Sequence, residues 1–220
     1  MDPPPPARAP NRRKRKISSV GKAIAAGARV DPSLVIMSNV VATASFGVEI
    51  DLREVAWECH GEFNPDSFAA VSLRLHKPRT TALVFGSGRI VCTGASSEAS
   101  AVEAVHRYYA MVQKVVKNAM CINIRIQNIV STGSHGRCIN IPEMYKHFQL
   151  SSTYDPELFP GIRVLIKTGQ DKAGAEGRAT QLRALLFGSG NSVLTGAKSR
   201  QEIADGWREL RSVVEPFLIN

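Results

Sequence analysis

The sequence contains no run of 18 or more apolar residues, so no segment is built to cross a bilayer as a helix. Its N-terminus lacks the apolar stretch of a secretory leader, which points away from export. Cysteine is scarce. Cys59, Cys92, Cys121 and Cys138 stand 33, 29 and 17 residues apart, and no C-x-x-C pair is present to seed a zinc knuckle. That spacing predicts reduced thiols in an intracellular chain. Acidic residues are also short, 19 against 28 Lys and Arg, for a formal net charge of +9. The hydrophobic share is nevertheless 44%, enough for a substantial core in 220 residues.

The charge excess is local. Residues 1–30 carry +7, including the run Arg12-Arg13-Lys14-Arg15-Lys16, and the remaining 190 residues carry only +2. A proline-rich, basic opening cannot bury enough apolar surface to offset its ordering entropy. Residues 1–33 are therefore expected to form a disordered basic tail, suited to a nuclear import receptor or a phosphate backbone. Charge alone does not make the rest a nucleic-acid binder.

Catalytic patterns are missing. Gly86-Ser87-Gly88 and Gly188-Ser189-Gly190 are not the G-x-S-x-G nucleophile elbow. His60, His76, His106, His135 and His147 show neither metal spacing nor a partnered nucleophile. In Gly196-Ala197-Lys198-Ser199 an alanine stands where a phosphate loop needs glycine. The chain is expected to be no enzyme and to use no cofactor or metal.

What is present is an internal repeat. Phe85-Gly-Ser-Gly-Arg-Ile-Val-Cys-Thr-Gly-Ala95 recurs as Phe187-Gly-Ser-Gly-Asn-Ser-Val-Leu-Thr-Gly-Ala197. Upstream, Phe63-Asn-Pro-Asp-Ser-Phe68 matches Tyr154-Asp-Pro-Glu-Leu-Phe159, and Asn39-Val-Val-Ala-Thr43 matches Asn128-Ile-Val-Ser-Thr132. Three blocks in one order predict two fused copies of a module, over 34–122 and 123–220. Each copy ends in helical spacing: Ala101, Val105, Tyr108, Val112 and Val115, then Ile203, Trp207, Leu210, Val214 and Phe217. Ser199 and Glu202 are placed to form a capping box.

Residues i and i+2 of a strand share a face. One face would then show Asn39 with Val41, Leu83 with Phe85 and Val91 with Thr93, repeated by Asn128 with Val130, Leu185 with Phe187 and Val193 with Thr195. The alternate residues Val40, Val84, Ile90, Ile129 and Leu186 are apolar too, yet the two long helices can cover only one side. A hairpin turning near Lys77-Pro78 is expected to set Phe68 opposite Phe85. The same arithmetic sets Phe159 opposite Phe187, with the Thr168–Thr180 insertion at the far end. An uncovered apolar face edged by Asn, Thr, Arg and two Phe pairs calls for a partner. The DNA minor groove suits it. Its A·T floor offers acceptors only, and apolar side chains can wedge between base steps.

These residues resemble the TATA-box-binding protein family across about residues 35–218. The closest blocks are Arg79-Thr-Thr-Ala-Leu-Val-Phe85, Ile126-Gln-Asn-Ile-Val130 and Tyr154-Asp-Pro-Glu-Leu-Phe-Pro-Gly161. The resemblance implies an α+β saddle: a ten-stranded curved antiparallel sheet with four helices on its convex side. It implies a nuclear transcription initiation factor that binds and bends A·T-rich double-stranded promoter DNA and recruits the initiation machinery. The alternative within the resemblance is a diverged paralogue serving another promoter class or working mainly through protein contacts.

Carried over by position, Phe68, Phe85, Phe159 and Phe187 would intercalate. Asn39, Asn128, Thr93 and Thr195 would meet central bases. Val41, Leu83, Val91, Val130, Pro160, Leu185 and Val193 would line the groove floor, and Arg74, Arg79, Ser87, Arg89 and Ser189 would touch phosphates. Asp155 and Glu157 would meet a factor IIB-like partner. Factor IIA-like and polymerase-associated factors are the other implied partners, although Ser96 to Val112 keeps only His106 and Arg107 of the basic stretch expected there. In the first copy Ser67 and His76 stand where the family has basic residues, and in the second Asn191 replaces an expected lysine and Val164-Leu165 an expected Tyr-Arg pair, which predicts fewer phosphate contacts and a shallower salt dependence.

Overall fold

The structure, a computed structural model, describes residues 35–148, 152–168 and 180–219. The basic tail and the centre of the insertion lie outside these. The alternation read from the sequence forms the strands. In β1 (Ile36–Ser45) Val40, Ala42 and Ala44 are buried while Asn39, Val41 and Thr43 are half-exposed on the other face. A short helix, α1 (Leu52–Glu58), follows, capped by Asp51, whose carboxylate accepts from the N–H groups of Arg53 and Glu54.

Then come β2 (Glu62–Asn64), β3 (Phe68–His76), β4 (Arg79–Phe85) and β5 (Arg89–Ala95), and the first copy closes with α2 (Glu98–Val112). The second copy repeats the order. It runs through β6 (Ile122–Ser134), β7 (Cys138–Ile139), α3 (Ile141–His147), β8 (Ser152–Asp155), β9 (Phe159–Thr168), β10 (Thr180–Phe187), β11 (Asn191–Ala197) and α4 (Arg200–Val214). A 3-10 turn (Glu215–Phe217) leads to β12 (Leu218–Ile219), which pairs with β7.

Ten strands form one sheet in the order β2-β3-β4-β5-β1-β6-β11-β10-β9-β8, every pair antiparallel. The seam β1–β6 joins the copies, and the order reads outward symmetrically from it. The four helices among the described residues lie on one side, giving the expected α+β saddle. Val40, Val84, Ile90, Ile129 and Leu186 are all fully buried beneath that layer.

The helix caps agree with the sequence in part. Ser97 and Ser100 form a reciprocal capping box on α2. Ser199 accepts from the Glu202 N–H as expected, but the Glu202 carboxylate accepts from the Lys198 N–H at 2.7 Å rather than from the cap itself, so the box is half-made. Both Gly-Ser-Gly turns are clamped from the preceding segment. Phe46 and Ile50 donate to the carbonyls of Gly88 and Gly86, and His135 and Ile139 donate likewise to those of Gly190 and Gly188. At Gly88 (φ +78°) and Gly190 (φ +84°) a Cβ would collide with the carbonyls of Val48 and Arg137, so glycine is required at both. All four cysteines are free, and burial pushes the Cys92 thiol up to about 11.

Candidate nucleic-acid interface

The site is the sheet face opposite the helices. Its centre is set by two matching bulges. The register shifts at Ser38 in β1 and at Gln127 in β6, each the residue before an asparagine. The extra residue changes which face the next side chain takes. Met37 therefore packs against the core side, and Asn39 opens onto the other.

Asn39 and Asn128 are held alike. The Asn39 Oδ1 accepts from the backbone N–H of Gly94 at 2.8 Å and from the Thr93 hydroxyl at 3.2 Å. The Asn128 Oδ1 accepts from Gly196 N–H at 2.8 Å and from the Thr195 hydroxyl at 3.2 Å. A backbone N–H can only donate, so the atom facing it is the oxygen and the amide flip is fixed. Each Nδ2 group is thereby turned outward as a donor. The hydroxyls of the half-exposed Thr93 and Thr195 are engaged as donors on the asparagine oxygens. Gly94 (φ +99°) and Gly196 (φ +108°) occupy left-handed backbone that brings their N–H groups to bear.

Apolar residues surround these amides. Leu83 is paired with Val91 and Leu185 with Val193, while Val41 pairs with Asn128 and Asn39 with Val130 across the seam. All eight are half-exposed. Pro160 is exposed beside Phe159.

The phenylalanine pairs form, but not in the expected register. Phe85 lies opposite Ala70, and Phe187 opposite Gly161, so each partner Phe sits two residues away on the same face. The two-residue turn at Lys77-Pro78 pairs His76 with Arg79 and moves the whole hairpin by two. The rings still meet diagonally, with centroids 6.0 Å apart for Phe68–Phe85 and 5.8 Å for Phe159–Phe187. The small residue opposite each inner ring is the physical reason. A Cβ on Gly161 would stand 2.8 Å from the Phe159 ring, so the space beside Phe187 is filled by its neighbour's aromatic face.

Arg74, Arg79, Ser87, Arg89 and Ser189 are all exposed around this face. Arg74 is ion-paired with Glu62 at 2.9 Å. Asp155 is partly committed to its own turn, its Oδ1 accepting from the N–H groups of Glu157 and Leu158, whereas Glu157 is exposed. Leu158, 84% exposed beside Phe159, was not among the sequence candidates. Nor were Arg163, Lys167 and Arg183. They share the open face with Leu185, because Arg163 pairs with Leu185, Leu165 with Arg183 and Lys167 with Gln181. The second half is thus not short of basic groups. They stand at positions that the block-by-block match did not mark, and pairing β9 with β10 was the signal that reveals them.

A saddle of two fused repeats, with helices on one side and an apolar, amide-studded sheet on the other, is the class that fold and site define. The family model described as "Transcription factor TFIID (or TATA-binding protein, TBP)" matches residues 35–115 and 123–217. The chain belongs to the TATA-binding protein family.

It is 40% identical over 183 residues to the TATA-box-binding protein of Acetabularia peniculus, covering 82% of this chain and 90% of that one. It is equally 40% identical over 184 residues to TATA box-binding protein-like 2 of Mus musculus, covering 82% of this chain and 49% of the relative. The TATA-box-binding protein of Artemia franciscana is 37% identical over 190 residues, 85% of this chain and 65% of that protein. The chain thus spans about half of the mouse relative's length and about two thirds of the Artemia one's. Among solved structures, the Methanococcus jannaschii TBP superposes with a TM-score of 0.66 at 29% identity, covering 83% of this chain and 98% of that one.

Proposed function

We propose that this protein is a transcription initiation factor that binds the minor groove of A·T-rich promoter DNA through its open sheet face and bends it. The observation that carries this reading is the pair of asparagines whose oxygens are locked by Gly94 and Gly196, so that each asparagine has only its N–H donors left to offer within an apolar surface. An A·T base pair offers only acceptors there, at A N3 and T O2, whereas G·C adds a donor that would oppose the asparagines. Phe68 with Phe85 and Phe159 with Phe187 stand at the two ends, where they wedge into base steps and open the groove onto the sheet. Arg74, Arg79, Arg89, Ser87 and Ser189 contact phosphates. Glu157 and the turn built by Asp155 meet a factor IIB-like partner, and the basic tail directs the chain to the nucleus. No catalytic step is assigned.

Selection of bound sequences from a random duplex pool tests this. Enrichment of A·T-rich sites supports it, and enrichment of G·C-rich sites, or none, overturns it. A second reading, a paralogue of another promoter class, draws on the rearranged basic residues of β9 and β10 and on α2, whose basic side chains are only His106 and Arg107. Preferential binding of a non-TATA duplex in the same selection would favour it.

A further inference from the structure

We infer that the second copy supplies its own cationic anchor for the DNA backbone through Arg163 and Arg183, so that the two halves of the saddle grip the duplex from different strand positions. This rests on the open face being the DNA-binding surface. The repeat provides the comparison. In the first copy β3 and β4 pair Ser72 with Leu83 and Arg74 with Thr81. At the same positions of the second copy β9 and β10 pair Arg163 with Leu185 and Leu165 with Arg183. An arginine replaces serine beside the groove-lining leucine. In the next pair the arginine and its uncharged partner have exchanged strands.

The exchange brings charge inward. The order β9-β10-β11-β6 puts Arg183 one strand, about 4.8 Å, nearer the seam than Leu165 is. Arg183 also pairs directly with Thr195, the residue bonded to Asn128. The carboxylate that engages an arginine in the first copy is gone. Glu62, paired with Ser72 and bonded to Arg74, corresponds to Thr153, paired with Arg163. Among the described residues neither Arg163 nor Arg183 is ion-paired with a carboxylate.

Arg163 instead lies over the Phe159 ring, its Cζ 5.7 Å from the centroid. When bases take the face of that ring, the guanidinium is displaced from it at the point where the duplex kinks. A phosphodiester oxygen suits the planar fork of arginine.

The test uses the full chain and an A·T-rich duplex titrated over a salt series, with Arg163→Ser and Arg183→Thr, the residues of the first copy. Both arginines are exposed, so unchanged melting temperature checks that the fold is kept. Each substitution is expected to flatten the slope of log K against log salt by about 0.9, and the pair by about twice that, with bending at saturation retained. An unchanged slope overturns the inference, whether binding is unaffected, uniformly weaker, or altered in sequence preference as base-edge contacts would make it. If the parent chain itself neither binds nor bends the duplex, the proposed function fails. If the parent does both and only the slopes stay fixed, this inference alone fails.

Discussion

The indole N–H of Trp207 donates to the buried hydroxyl of Ser131 at 2.9 Å, and the equivalent positions of the first copy hold Val105 and Ala42, both fully buried. A polar pair in one copy is an apolar pair in the other. The reverse exchange occurs nearby, where Tyr108 bonds the carbonyl and hydroxyl of Thr80 while Leu210 and Leu182 take those places in the second copy. Each copy satisfies its buried donors with partners that change together, as burial demands.

Ser131→Ala leaves the indole N–H of Trp207 without its partner in the core. A loss of about 1–3 kcal/mol in unfolding free energy is expected by denaturant titration. Trp207→Phe added to it should cost less than the sum of the two single changes, and strict additivity would contradict the coupling.

Gly206 sits inside α4, where alanine is favoured by about 1 kcal/mol on helix propensity. Its Cβ would nevertheless collide with Leu182 and stand 2.7 Å from Leu194. Overpacking of that kind costs about 1–3 kcal/mol, so Gly206→Ala is expected to lower the melting temperature. A gain in stability would show that α4 can shift without cost.

His135 is held neutral. Burial, helped by the Arg211 charge, lowers its pKa from 6.5 to about 4, and a ring nitrogen lies 2.9 Å from the Ser192 hydroxyl. Between pH 6.5 and 4 the unfolded chain binds a proton that the folded chain does not, so stability falls as pH falls through that window. Partial solvent access limits the loss to something on the order of 1–3 kcal/mol. Unfolding measured from pH 7 to 4.5 should be steeper for the parent than for His135→Gln, and parallel curves would refute the assignment.

Asn39→Asp and Asn128→Asp separate the two roles of these amides. A carboxylate still accepts from Gly94 or Gly196 and from the threonine, so melting should change little. The outward donor is lost and a negative charge enters the face, so binding to an A·T-rich duplex is expected to fall by at least tenfold per site in a fluorescence titration. Unchanged affinity would remove the asparagines from the interface.

Phe159→Ala combined with Phe187→Ala should abolish bending with the fold intact. Energy transfer between dyes at the ends of an A·T-rich duplex reports it directly. Transfer that still rises with the variant as it does with the parent would rule out these rings as the wedge.

Much of this was legible in the chain. Alternation marked the buried faces through Val40, Val84, Ile90, Ile129 and Leu186. The repeated blocks placed Asn39 and Asn128, and both phenylalanine pairs, on one surface. The missed features share a cause. Strand register depends on where a turn closes and on bulges, and composition does not report either. The two-residue turn at Lys77-Pro78 moved Phe85 from Phe68 to Ala70, and bulges at Ser38 and Gln127 re-aimed the asparagines.

The sequence by itself determined the doubled module, the apolar open face and the identity of its aromatic and amide groups, because period and repetition are written along one dimension. Only the tertiary structure decided which end of each asparagine faces outward, since that follows from two N–H groups 55 and 68 residues away. It also decided that the basic groups of the second half stand on β9 and β10 in exchanged positions. A residue's face can be counted along the chain, but its partner across a sheet is known only once the strands are paired.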